Sequence, residues 1–135
     1  MSTTLGITKT VSIERPAGEV HAFLADLANW PRWAVVNIQS TQPTDDPHWW
    51  RMSTPRGPGR LRMRADAGLG VLDHDYLDDT ASWSVPARVV ANGDGAEFMI
   101  TFFQPPRLTR ESFLEQVALV DKELATLKEI LEGAA

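Results

Sequence analysis

The 135-residue sequence contains no cysteine, which removes disulfides, thiolate nucleophiles and cysteine-ligated metals from consideration. The same absence fits a reducing compartment, and a cytoplasmic location is the expectation. Positive charge is scarce: 13 Lys and Arg against 18 Asp and Glu leave a formal charge of −5. Affinity for nucleic acid comes mostly from basic surface, so no nucleic-acid partner is expected. No stretch approaches the ~20 apolar residues that span a bilayer, and no integral membrane association is expected. The opening Met1-Ser2-Thr3-Thr4-Leu5-Gly6 lacks the basic stretch and apolar run of a signal peptide. A nucleotide-binding glycine loop is missing too, because Gly68 and Gly70 fall in a hairpin with no helix after it. There is no nucleophile elbow, and no cofactor is expected.

What is present is the makeup of an ordinary globular protein, with 43% hydrophobic and 23% charged residues, so disorder is not indicated. The length fits a single domain over residues 1–135, and neither a repeat nor a linker-like break interrupts it. Ile7, Val11 and Ile13 recur at odd positions, Lys9 being the exception, which is the period of a half-buried strand. Pro16 then reads as the first residue of a helix that places Val20, Phe23, Leu24 and Leu27 on one face. Pro31 biases Trp30 away from helical angles, so Asn29 to Trp33 breaks that helix into a second short helix or turn.

Strands are expected at Val35 to Thr41, Trp49 to Ser53, Arg60 to Ala65, Val71 to Leu77, Ser82 to Val90 and Glu97 to Phe103. The turn residues between them (Arg56-Gly57-Pro58-Gly59, Ala67-Gly68-Leu69-Gly70, Asp78-Asp79, Asn92-Gly93-Asp94-Gly95) recur often enough to predict an antiparallel meander. Thr109 is the expected N-cap of a last helix that runs to Glu132. Phe113, Val117, Val120, Leu124, Leu127 and Leu131 form its apolar stripe, over a length on the order of 35 Å. A helix this amphipathic needs a partner surface, and the meander supplies one, giving an α+β domain.

The segment Val11-Ser12-Ile13-Glu14-Arg15-Pro16-Ala17-Gly18-Glu19-Val20, with Phe23-Leu24-Ala25-Asp26 and Asn29-Trp30-Pro31-Arg32-Trp33, resembles the opening of the SRPBCC superfamily. These are START-like, birch-pollen-allergen-like helix-grip proteins, and the chain is most similar to their bacterial polyketide cyclase/dehydrase branch. The resemblance covers nearly the whole chain in element order, though its sharp motif is confined to about residues 11 to 33. It implies a curved seven-stranded antiparallel sheet wrapped around a long C-terminal helix, with two short helices between the first two strands. It further implies a cavity between sheet and helix for lipids, hormones or polyketide-like molecules. The superfamily includes cyclases, carriers and co-chaperones and shares no invariant catalytic set, so no role carries over residue by residue.

Strand alternation sorts the faces. Arg60, Arg62 and Arg64 share one side of their strand and Leu61 and Met63 the other; Asp73 and Asp75 oppose Leu72, His74 and Tyr76 on the next. Pairing arginines with aspartates on a common outer face sends the apolar set inward. The aspartates then lie opposite His74, which argues against a metal site, and His21 and His48 show no ligand spacing. Adding the neighbouring strands and the helix, the expected ligand contacts are Trp33, Trp50, Met52, Met63, Leu72, Trp83, Phe102, Phe113 and Val117. Alternation alone fits a solid core equally well, and the resemblance favours a cavity.

Within that interior His74 is the candidate catalytic base or ligand-carbonyl partner, with Tyr76 as proton donor or oxyanion partner; a core histidine bonded to a backbone carbonyl is the alternative. Trp30 reads as a plug under the sheet, Trp33 as a residue near the cavity mouth, and Trp49 as an outward-facing candidate contact for a homodimer or entrance loop. The leading expectation is a carrier or binding protein for a hydrophobic, aromatic or polyketide-like small molecule. An enzyme of the cyclase or dehydratase kind and a protein-interaction module of the co-chaperone kind are the rivals.

Overall fold

The computed structural model describes residues 2–79 and 82–133. Strand β1 (Gly6–Ile13) leads into helix α1 (Ala17–Ala25), a single 3₁₀ turn (Leu27–Asn29) and the short helix α2 (Trp30–Trp33). The meander follows as β2 (Ser40–Pro43), β3 (Trp50–Thr54), β4 (Gly57–Asp66), β5 (Val71–Leu77), β6 (Ser82–Val85), β7 (Ala87–Asn92) and β8 (Gly95–Phe103). Helix α3 (Arg110–Gly133) closes the chain. All pairings are antiparallel, in the order β1-β8-β7-β5-β4-β3-β2, with β6 also lying on β5.

The sheet has eight strands because Pro86 divides the stretch expected from Ser82 to Val90. Proline has no N–H for the ladder, so pairing stops there and resumes differently. The following N–H, on Ala87, donates instead to the Asp73 carboxylate at 3.0 Å. β6 pairs along β5 from His74 to Leu77, whereas β7 meets β5 only at Val71 opposite Arg88.

The strand expected from Val35 to Thr41 is also corrected, since only Ser40–Pro43 is extended. Residues 34–38 form a turn closed by Asn37 and Ile38 N–H donating to Ala34 C=O, at 3.2 and 2.8 Å. The Val36 and Asn37 N–H groups additionally donate to the Glu123 carboxylate, so they are not offered to a ladder. Pro16 sits at the N-cap of α1 and not within it, and Pro31 lies in the first turn of α2.

One apolar cluster joins α1, α2, the C-terminal half of α3 and the sheet: Ile13, Val20, Leu24, Phe98, Leu124, Leu127 and Leu131 belong to it. Burying each such side chain contributes about 1.5–3 kcal/mol. The Lys9 exception in β1 is resolved by an ion pair, its ammonium lying 3.1 Å from Asp121 of α3. The far end of α3 is fastened as well. Lys128 donates to Ser12 C=O and to Glu132, both at 2.6 Å, and Glu14 N–H donates to Glu132 at 2.8 Å. At its start the Ser112 N–H donates to the Thr109 hydroxyl at 3.1 Å, the cap expected there.

Candidate functional site

The inner face of the sheet, α2 and the N-terminal half of α3 line a cavity of about 680 Å³ that is open to solvent on one side. That volume is within the range of small-molecule sites. Its walls are mostly apolar: Trp30, Trp33, Ala34 and Ile38 on one side, Met52, Leu61, Trp83, Val85, Ile100 and Phe102 from the sheet, and Val117 and Val120 from α3. Polar and charged side chains interrupt them, His74, Tyr76, Asn37 and Glu123 together with Arg56, Asp78, Asp79, Ser82, Arg107 and Gln116.

Of the expected ligand contacts, Trp33, Met52, Trp83, Phe102 and Val117 line this cavity, as do His74 and Tyr76. Trp50, Met63, Leu72 and Phe113 are not in its wall. Phe113 lies behind Trp83, the two rings stacked 6.4 Å apart at 20°. Leu72 is fully buried toward the end of β5 that α1 covers, where His21 Nε2 meets Val71 C=O at 3.0 Å. Met63 is half-buried opposite His74, and Trp50 half-buried opposite Leu61. Alternation fixes the side of the sheet these residues face; it does not separate Met63 and Trp50 from their cavity-lining partners His74 and Leu61.

His74 is buried, packed edge-on against Trp30 with the two ring centres 4.8 Å apart. Its Nδ1 lies 2.9 Å from Leu72 C=O. A carbonyl only accepts, so Nδ1 carries the proton and Nε2 is the bare acceptor. Burial pulls the imidazole pKa down to about 4, only partly opposed by the Leu72 hydrogen bond, so it is neutral at pH 7. The expected backbone-carbonyl bond and the cavity position thus coexist. Orienting a ligand carbonyl would require a free N–H, and the single N–H of this imidazole is taken.

The Tyr76 hydroxyl donates to Asp78 at 2.5 Å, so its proton is already engaged. Burial, and then the Asp78 hydrogen bond and charge, push the phenol up to about 12, with Arg56 acting against them. The ring lies over Gly59, where a Cβ would come within 2.8 Å of it. Tyr76 is the sole tyrosine, so phenol ionisation reports it alone. At pH 10.5 an ordinary phenol is mostly ionised, and tyrosinate absorbance of the folded protein should be nearly absent. Asp78→Asn should bring ionisation to lower pH, and a wild-type midpoint near 10 would contradict the engaged hydroxyl.

Glu123 is a site residue the sequence reading passed over. It is buried, lines the cavity and accepts from Val36 N–H, Asn37 N–H and Asn37 Nδ2 at 3.1–3.2 Å. Burial pushes its carboxyl pKa up, and the bonds from Asn37 and Val36 hold it back. The signal was its place three residues after Val120, on the apolar stripe of α3. Arg56, in the turn between β3 and β4, also lines the cavity.

Trp33 is deep and not at a mouth, packed edge-on against Trp30 and Phe98 at 4.9 and 6.3 Å. Among the described residues its Nε1–H is the one fully occluded side-chain nitrogen or oxygen without a hydrogen-bond partner. Trp30 is the expected plug, its Nε1–H donating to Leu24 C=O at 2.8 Å.

On the outer face Asp75 takes both Arg62 and Arg64, at 2.8 and 3.0 Å, together with the Ser84 hydroxyl at 2.6 Å. Partial burial raises the Asp75 pKa, and these hydrogen bonds outweigh it and hold the carboxyl at about 2. Arg60 and Arg62 lie over the Trp49 ring, 5.6 and 4.7 Å from its centre. The arginine–aspartate pairing is therefore centred on Asp75, because Asp73 is occupied by Ala87 N–H. No helix among the described residues is long and apolar enough to cross a membrane.

No family model and no curated protein sequence matches the chain. Solved structures do. A START superfamily protein from Mycobacterium smegmatis superposes with a TM-score of 0.71 at 15% identity, over 96% of this chain and 99% of that one. Ara h 8.0201 gives 0.66 at 11% identity, over 95% and 97%. DynU16, from the dynemicin biosynthetic locus, gives 0.67 at 15% identity over 94% of this chain and 47% of that one. The chain shares the helix-grip fold of these proteins, an antiparallel sheet against a long C-terminal helix.

Proposed function

We propose that the protein binds a hydrophobic small molecule, aromatic or polyketide-like, in the cavity between sheet and α3. The observation that carries this reading is the cavity itself, about 680 Å³ walled by Trp30, Trp33, Trp83 and Phe102. Aromatic walls favour flat, largely apolar ligands. The likeness to a START protein and to DynU16 supports the same class. Calorimetric titration with 2-methylnaphthalene tests it, with one-to-one saturable binding expected. Val117→Trp, which fills the cavity from α3, should weaken binding at least tenfold while the protein stays folded. Absence of saturable binding, or binding indifferent to Val117→Trp, would overturn the proposal.

A second reading, cyclase or dehydratase chemistry, draws on the neutral His74 with its bare Nε2 as a general base. A base with a pKa of about 4 is weak at pH 7, and the Tyr76 proton is engaged with Asp78. Binding is therefore the better-supported function.

A further inference from the structure

We propose, building on the ligand-binding reading, that the cavity selects ligands carrying a hydroxyl or other O–H or N–H donor, which is received by His74 Nε2. The Glu123 carboxylate already accepts three hydrogen bonds from Val36 and Asn37. The Tyr76 hydroxyl donates to Asp78, and its oxygen is met by the Arg56 guanidinium. The Trp33 Nε1–H is unpaired but wholly occluded, so a ligand in the cavity does not reach it.

His74 differs from all three. Its Nδ1–H is held by Leu72 C=O, which fixes the tautomer and leaves Nε2 with a lone pair and no partner among the described residues. Nε2 is not among the occluded atoms, and the side chain lines the cavity, so the open valence faces ligand space. The flanking surfaces, Trp30 and Val85, are apolar and offer it nothing. A buried acceptor without a donor carries a desolvation penalty that an incoming O–H removes. An aromatic body with a phenolic or alcoholic hydroxyl matches both the walls and this acceptor. A ligand presenting only a carbonyl or ether oxygen there meets lone pair against lone pair.

Three probes of nearly equal shape separate the possibilities: 2-naphthol, 2-methoxynaphthalene and 2-methylnaphthalene, each titrated calorimetrically at pH 7. The wild-type protein should bind 2-naphthol at least as tightly as 2-methylnaphthalene, although the methyl compound is the more hydrophobic. It should bind 2-methoxynaphthalene, which has the oxygen without the proton, at least fivefold more weakly than 2-naphthol. In His74→Leu the preference for 2-naphthol over 2-methylnaphthalene should fall at least fivefold, with 2-methylnaphthalene still bound. Should 2-methoxynaphthalene bind as well as 2-naphthol in the wild type, a comparison that needs no variant, donor selection is wrong. A preference unchanged in folded His74→Leu would overturn it equally. If none of the three probes binds, the ligand-binding reading fails and this inference fails with it.

Discussion

Gly70→Ala is expected to destabilise the protein by about 3 kcal/mol or more, the largest loss from adding a single methyl group. Gly70 has φ +71°, a left-handed conformation that costs an alanine roughly 1–2 kcal/mol. Sterics then add to conformation, because the new Cβ would sit 2.1 Å from Val89 C=O. That atom is main chain and has no rotamer to escape into. Relieving the overlap means parting β7 from the end of β5, where Gly70 C=O accepts the Val89 N–H at 2.9 Å. The broken bond costs about another 1 kcal/mol. Gly93→Ala is the control: its φ of +59° is also left-handed, but nothing lies within 4 Å of the added carbon. Urea unfolding should show the Gly70 variant losing at least twice as much as the Gly93 variant at unchanged m-value. Equal losses would mean that backbone conformation alone, and not the seam between the strands, sets the cost.

Acidification from pH 7 to 4.5 should remove about 2–3 kcal/mol of stability through His74 alone. The folded imidazole titrates at about 4 and the unfolded one near 6.5, so below pH 6.5 the unfolded chain takes up a proton that the folded one refuses. Stability is therefore complete above pH 6.5 and drains away as pH falls toward 4, at about 1.4 kcal/mol per unit. Asp75 does not add to this loss, because its contribution disappears only as pH falls from 3.8 toward 2. Glu123 opposes it. Its folded carboxyl has a raised pKa and protonates before the unfolded one, which favours the folded state on acidification. His74→Phe isolates the imidazole: between pH 7 and 4.5 the wild type should lose about 2–3 kcal/mol more than the variant. A difference below about 0.5 kcal/mol would show that the ring is hydrated in the folded protein.

Much of this geometry was legible in the sequence where one periodicity dominates. Alternation in β4 and β5 put Leu61, His74 and Tyr76 inward and the arginines and aspartates outward, and the register bears this out, with Leu61 opposite Tyr76 and Arg62 opposite Asp75. Where a side chain competes with the backbone for hydrogen bonds, periodicity failed. The apolar residues Val35, Val36 and Ile38 read as a strand, but the carboxylate that claims their segment's N–H groups lies on α3, far along the chain. Asp73 and Asp75 are indistinguishable by alternation, and only Pro86 decides that Asp73 serves the backbone. The candidate site was legible as a face and not as a volume. Trp50, Met63 and Leu72 share the inward face with His74 but lie outside the cavity wall, and for Trp50 and Met63 this is so although their cross-strand partners Leu61 and His74 line it.

Helix α3 is held unevenly along its length. Its C-terminal half is bolted down by Leu124, Leu127 and Leu131 in the core and by the Lys128 and Glu132 contacts to the end of β1. Its first turns rest on Phe113 and Val117, which lie outside that core cluster, and Val117 faces open volume. Mechanically this is a cantilever: a beam clamped at one end, with its free end roofing the chamber. Any deflection of that end would have to carry Phe113 with it, fully buried and stacked on Trp83 of the sheet. The clamped end meanwhile keeps Glu123, and through it the turn at 34–38, in register with the sheet.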